Sequence, residues 1–159
     1  MLTGSFAMHF YANPRMTRDI DIVVELTRKD VKRFCEALGS EFYSDEEMAT
    51  QAIQHGSMFN IIFKKAGIKV DFVIKKQTEY AKKAFSRKKE MELLDAKVWV
   101  CSAEDLVVSK LDWAKESKSE MQLRDVSNLL KVRELDLRYV EKWIEKLELK
   151  KLYARAKTY

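Results

Sequence analysis

The 159-residue sequence holds few of the residues that break a chain or staple it. Pro14 is the single proline and glycine occurs four times, so long irregular loops are excluded and most of the chain is expected in helices and strands. The two cysteines, Cys35 and Cys101, form no Cys-x-x-Cys pair and have no metal-ligating neighbours, and they read as reduced thiols of a cytoplasmic protein. His9 and His55 are too few and too far apart for a zinc site. No apolar run approaches membrane-spanning length, and the start of the chain does not read as a signal peptide, so no membrane partner is expected.

Charge and apolar surface are plentiful instead. Hydrophobic residues make up 47% and charged residues 35%, the balance of a folded domain whose length suffices to bury a core unaided. The net charge of +5 is uneven: residues 1–80 carry 11 Lys and Arg against 11 Asp and Glu, and residues 81–159 carry 19 against 14. A basic second half can attract a polyanion such as RNA, although a solvated Lys- and Glu-rich surface explains the charge equally simply.

Residues 5–12 predict a short helix after a turn at Thr3-Gly4, broken at Asn13-Pro14. Residues 18–25 alternate as a strand, with Ile20, Ile22 and Val24 on one face and Asp19, Asp21, Val23 and Glu25 on the other. Thr27 and Asp30 form a capping box for a helix ending at Gly39, and Ser44 with Glu47 a second one. Residues 57–63 and 68–74 predict a hairpin around Gly67; 78–87 predict a helix and 91–100 a single edge strand. Helices opened by Ser102, Ser119 and Asp136 follow. The expectation is an α+β fold, with a small mixed β-sheet and flanking helices over 1–100 and a C-terminal helical bundle over 101–159 packed on that core.

Asp19 and Asp21 leave one face of a strand roughly 7 Å apart. Two carboxylates that close repel unless a cation lies between them, and magnesium favours carboxylate and phosphate oxygens together. They can also be polar residues on a solvated strand face, and the pair alone does not decide. Gly4-Ser5 can present backbone N–H groups to phosphate or be a plain turn and cap. Asp71 can serve as a third carboxylate or simply pair with Lys69. Arg15 and Arg18 flank the carboxylates and can neutralise phosphate or stay solvated. Lys110 and Asp125 each interrupt an apolar helical stripe, which suits either a structural ion pair or a cleft lining. His9 and Tyr11 read as packing residues, and so do Tyr139, Trp143 and Tyr153.

Taken together, Gly4-Ser5, then Arg15-Met16-Thr17-Arg18-Asp19-Ile20-Asp21 on a strand, then Lys69-Val70-Asp71-Phe72-Val73, resemble the DNA polymerase beta-like nucleotidyltransferase superfamily. The Arg-x-Thr-x-Asp-Ile-Asp string resembles the minimal nucleotidyltransferases and the abortive-infection nucleotidyltransferase toxins. Glu104-Asp105-Leu106, Lys110-Leu111 and Arg124-Asp125 are similar to the helical motifs of those toxins, and the likeness extends over roughly residues 1–132. It implies that Gly4 and Ser5 hold the triphosphate of an NTP (ATP or CTP), that Asp19 and Asp21 bind Mg2+, that Asp71 completes the carboxylate triad, and that Lys110 and Asp125 belong to the active site. The acceptor it implies is an RNA, such as a tRNA end, or a hydroxyl of a partner protein in a toxin–antitoxin pair. The contrasting expectation is a catalytically idle antitoxin or nucleotide-binding partner protein. Relatives usually have a strand before the Gly-Ser turn. Here Met1-Leu2-Thr3 alone precede it, so either a truncated start or a nearly absent first strand is expected.

Overall fold

A computed structural model describes residues 1–13, 15–17 and 19–159. Its centre is a seven-stranded mixed sheet in the order β3-β4-β5-β2-β1-β7-β6. The strands are β1 (Leu2–Thr3), β2 (Ile20–Val24), β3 (Phe42–Tyr43), β4 (Met58–Phe63), β5 (Ile68–Ile74), β6 (Lys89–Leu93) and β7 (Ala96–Val100). β2 runs parallel to β5, and β1 parallel to β7; β1–β2, β3–β4, β4–β5 and β6–β7 are antiparallel. The first strand is therefore present, two residues long, and it joins the two halves of the sheet.

Eight α-helices accompany the sheet in the described residues: α1 (Gly4–Ala7), α2 (Val31–Leu38), α3 (Glu46–His55), α4 (Glu79–Ser86), α5 (Ala103–Ser117), α6 (Glu120–Leu129), α7 (Leu137–Lys146) and α8 (Lys150–Ala156). Among the described residues no helix is long and apolar enough to cross a membrane. The α+β architecture read from the sequence is the observed one.

Two apolar cores lie against the sheet. Phe59, Ile61, Phe72 and Ile74 of the β4–β5 hairpin pack with Val31 of α2 and Ala49 and Ala52 of α3. The second and larger core gathers Leu106, Leu111, Val126, Val140, Trp143 and Leu149 from the C-terminal helices around Leu2, Ala7, Met8 and Val100. Ile20 and Ile22 of β2 border both, so the strand carrying the Asp pair is anchored from two sides. Trp143 and Tyr153 are buried, as their packing role predicts, whereas His9 is exposed.

Three local expectations change. Residues 91–100 belong to a hairpin, β6–β7, in which Leu93 pairs with Ala96 and Leu94 turns the chain at φ 55°. No Gly or Asn marks that turn, so the usual hairpin signal is missing. Asp45, rather than Ser44, caps α3, its carboxylate accepting from the N–H groups of Glu47 and Met48. Ser119 precedes α6 but makes no side-chain capping bond. The Thr27–Asp30 capping box is formed.

The N-terminus of α5 is locked by a buried network. Asp105 is fully buried; it accepts from Ser102 Oγ at 2.7 Å, from Tyr139 Oη at 2.7 Å and from Arg87 Nε at 3.3 Å. Arg87 also pairs with Glu104 and stacks 3.9 Å above the Tyr139 ring. This ties α4, α5 and α7 together.

Candidate functional site

The parallel register of β2 and β5 sets Asp21 directly beside Asp71 on neighbouring strands. Asp71 is 4% exposed, and among the described residues its Oδ1 has no hydrogen-bond partner. Its Oδ2 accepts from Lys69 Nζ at 2.8 Å, and the same ammonium lies 3.9 Å from Oδ1 of the exposed Asp19. Burial first, then the charges of Asp71 and Asp19, push the Asp21 carboxyl above its ordinary range, with Lys110 and Lys69 opposing. The Lys69–Asp71 pair anticipated as one of two readings of Asp71 is present.

Among the described residues no three His, Cys, Asp or Glu side chains stand close enough to hold an ion as they are arranged. The Lys69 ammonium stands at Asp71 and near Asp19. The donor set still fits a hard divalent cation. It offers three carboxylates, one of them with a buried oxygen that has no partner among the described residues, and one whose ionised form is disfavoured by burial and then by the other two.

The Gly-Ser turn abuts the same carboxylates. Gly4 adopts φ +64°, and a Cβ there would lie 1.9 Å from Asp21 Oδ2. Glycine at this position lets the turn approach the carboxylate with no side chain between. The helix that follows is one turn long, so its dipole is weak. Positive charge comes instead from two side chains that converge on Ser5. Arg15 Nη2 donates to Ser5 Oγ at 2.6 Å, and Lys110 Nζ lies 3.4 Å from the same oxygen.

Lys110 is 3% exposed and donates to Asp125 Oδ2 at 2.7 Å and to Gln122 Oε1 at 3.1 Å. Burial lowers its pKa, and Asp125 partly restores it. Arg15 reaches Asp125 as well, at 3.3 Å. The structural ion pair and the cleft lining proposed for Lys110 thus coexist. Asp125 is not among the residues that line the cleft; it holds Lys110 and Arg15 in place.

The cleft itself has a volume of about 220 Å³ and is lined by Thr3, Gly4, Ser5 and Asp21 with Lys110, by Val23, Val73 and Trp113, and by Ser109 and Gln122. A charged floor thus meets apolar walls, with Trp113 58% exposed at the side. Sequence reasoning named Gly4, Ser5, Asp21 and Lys110, and it missed Gln122, Ser109 and Trp113 as lining. Helical spacing offered a signal for two of them: Gln122 lies three residues before Asp125 on α6, and Trp113 three residues after Lys110 on α5. Arg18 lies outside the described residues.

No protein-family model and no curated protein matches the chain. Among solved structures it is similar to an antigenic nucleotidyltransferase-like protein from Paracoccidioides brasiliensis, with 15% identity and a TM-score of 0.54 over 98% of this chain and 83% of that one. At that identity the likeness establishes the fold alone, and the fold is nucleotidyltransferase-like.

Proposed function

We propose that the chain is a metal-dependent nucleotidyltransferase that transfers a nucleotide from an NTP, ATP or CTP, to a hydroxyl of an RNA end or of a partner protein. The observation that carries this reading is the contact between Gly4 and Asp21, which brings a phosphate-sized turn against a carboxylate with no side chain between them. Asp19, Asp21 and Asp71 would hold Mg2+, which when bound neutralises triphosphate charge and polarises the transferred phosphoryl group.

The remaining steps belong to side chains of the chain. Ser5, Arg15 and Lys110 bind phosphate oxygens, the two cations replacing the weak dipole of α1. Asp125 positions both cations. Asp71, beside Asp21 on the neighbouring strand, would orient or deprotonate the attacking hydroxyl. The acceptor oxygen bonds to the α-phosphorus, the bond to the β-phosphate oxygen breaks, and pyrophosphate leaves. The basic second half of the chain favours RNA such as a tRNA end, and a toxin–antitoxin setting suits either acceptor.

A second reading, a catalytically idle antitoxin or nucleotide-binding partner protein, is favoured by one observation: the ammonium of Lys69 already compensates Asp71. Incubation with labelled NTPs, Mg2+ and either total tRNA or cell lysate separates the two. The active reading expects label on one acceptor class, and loss of that label in an Asp19→Ala/Asp21→Ala variant. Nucleotide binding with no transfer from any NTP establishes the idle reading, and transfer that survives the double substitution refutes the assignment of the two carboxylates.

A further inference from the structure

We infer that Lys69 is the resident occupant of the cation position among Asp19, Asp21 and Asp71, and that a divalent cation enters this site by exchange with its ammonium group. Lys69 thereby sets how tightly the site holds metal. The inference rests on the reading of these carboxylates as a metal-holding group.

The placement follows from strand phase. Lys69 precedes Asp71 by two positions on β5, so both side chains leave the same face of the sheet, the face that Asp21 shares across the β2–β5 register. The ammonium touches Asp71 Oδ2 at 2.8 Å and stands 3.9 Å from Asp19 Oδ1. Two carboxylates of the group, Asp71 and Asp19, are thus within ion-pair distance of this one cation.

Occupancy by an ammonium is incomplete, however. One positive charge against three carboxylates leaves two negative charges uncompensated, and a divalent cation leaves one. Asp71 Oδ1 stays buried without a partner among the described residues while Lys69 is in place. A second carboxylate oxygen of that kind is what a metal with several oxygen ligands uses and a single ammonium does not.

Exchange also requires that the lysine can leave. The Lys69 side chain is 43% exposed, so its ammonium can swing into water, where hydration replaces the contact with Asp71. Lys110 differs on this point: it is 4% exposed at its side chain and held by Asp125, Gln122 and Ser5 together. The two lysines of the site therefore divide their roles, Lys110 as a fixed cation and Lys69 as a removable one.

The test is the binding of Mn2+ to the full-length chain without nucleotide, read by calorimetry or by the paramagnetic signal of free Mn2+. Lys69→Met and Lys69→Gln are compared with the wild type, and with Lys65→Gln, which removes one charge at the exposed turn of the same hairpin. Both Lys69 variants are expected to bind Mn2+ about tenfold more tightly, the equivalent of one competing charge-assisted hydrogen bond removed. Without metal their thermal midpoint falls below that of the wild type, and it rises more steeply as Mn2+ is added. Folded Lys69 variants that bind Mn2+ no more tightly than the wild type overturn the inference and leave the metal reading intact. An equal gain in Lys65→Gln overturns it also, since the effect is then general electrostatics. If the wild type and the Lys69 variants all fail to bind Mn2+, the metal reading fails and this inference falls with it.

Discussion

The carboxylate of Asp21 fills the space that a side chain at position 4 would need. A Cβ on Gly4 would lie 1.9 Å from Asp21 Oδ2 and 2.7 Å from its Cγ, and the backbone there is left-handed at φ +64°. Gly4→Ala must therefore displace Asp21 besides straining the turn. The strain alone costs about 1–2 kcal/mol. We expect Gly4→Ala to lower the denaturation midpoint and to abolish label transfer. The clash term is isolated by repeating the substitution in an Asp21→Ala background, where Gly4→Ala should cost less; equal costs in both backgrounds would show that the two residues do not press on each other.

Asp21 also gives the site a pH signature. Its folded pKa is raised above the ordinary 3.8, mainly by burial and then by Asp71 and Asp19. The folded state therefore holds the proton longer than the unfolded state does. Below the ordinary value both states are protonated and Asp21 costs nothing; the cost appears as pH rises through the window above 3.8 and is complete beyond the raised value. Asp21→Asn keeps the shape and removes the charge. In urea denaturation without metal it should be more stable than the wild type near about pH 7, with the difference vanishing near about pH 3. A gain that persists undiminished into acid would assign the effect to something other than ionisation.

The sheet and the helix order were legible because their periodicities are clean. Ile20, Ile22 and Val24 alternate with Asp21 and Val23, and the β4–β5 hairpin has Gly67 at its turn. The β6–β7 hairpin was not legible, since its turn is made by Leu94 and Asp95 rather than by Gly or Asn. The carboxylates were found from their phase on the strands. What phase cannot give is the partner across strands: the adjacency of Asp21 and Asp71 comes from a parallel pairing between segments about fifty residues apart. Helical phase sets Trp113 near Lys110 and Gln122 near Asp125, but their exposure to the cleft depends on how α5 and α6 dock on the sheet. Arg15 offered no periodicity at all, being in a loop, and its contacts with Ser5 and Asp125 appear only in three dimensions.

Lys110 and Asp125 form a buried pair, and their substitutions should be asymmetric. Asp125→Ala leaves the buried Lys110 with Gln122 and Ser5 as neutral partners and takes the same carboxylate from Arg15. A cost of about 3 kcal/mol is expected from an orphaned buried charge. Lys110→Met leaves Asp125 still paired with Arg15, at 3.3 Å, so it should cost less stability while removing label transfer. Chemical denaturation of both variants together with the transfer assay checks this; a larger stability loss in Lys110→Met than in Asp125→Ala would contradict the ordering.

The Asp105 network predicts the opposite pattern, a loss of stability without a loss of chemistry. Asp105 is fully buried and accepts from Ser102, Tyr139 and Arg87, none of which lines the cleft. Tyr139→Phe removes one hydrogen bond to a buried charge and should cost about 1.5 kcal/mol. Asp105→Ala removes the anion itself and strands Arg87, but Glu104 remains at 3.1 Å and the Arg87 side chain is 28% exposed. The cost should therefore fall near the lower end of the range for a broken buried pair, about 3 kcal/mol. Because α5 carries both Asp105 and Lys110, the discriminating readout is Mn2+ affinity together with label transfer, per folded molecule, in Tyr139→Phe. Both should stay within about twofold of the wild type, a difference too small to correspond to a lost contact. A large fall in either would mean that this network sets the position of Lys110 in the cleft as well as the stability of the fold.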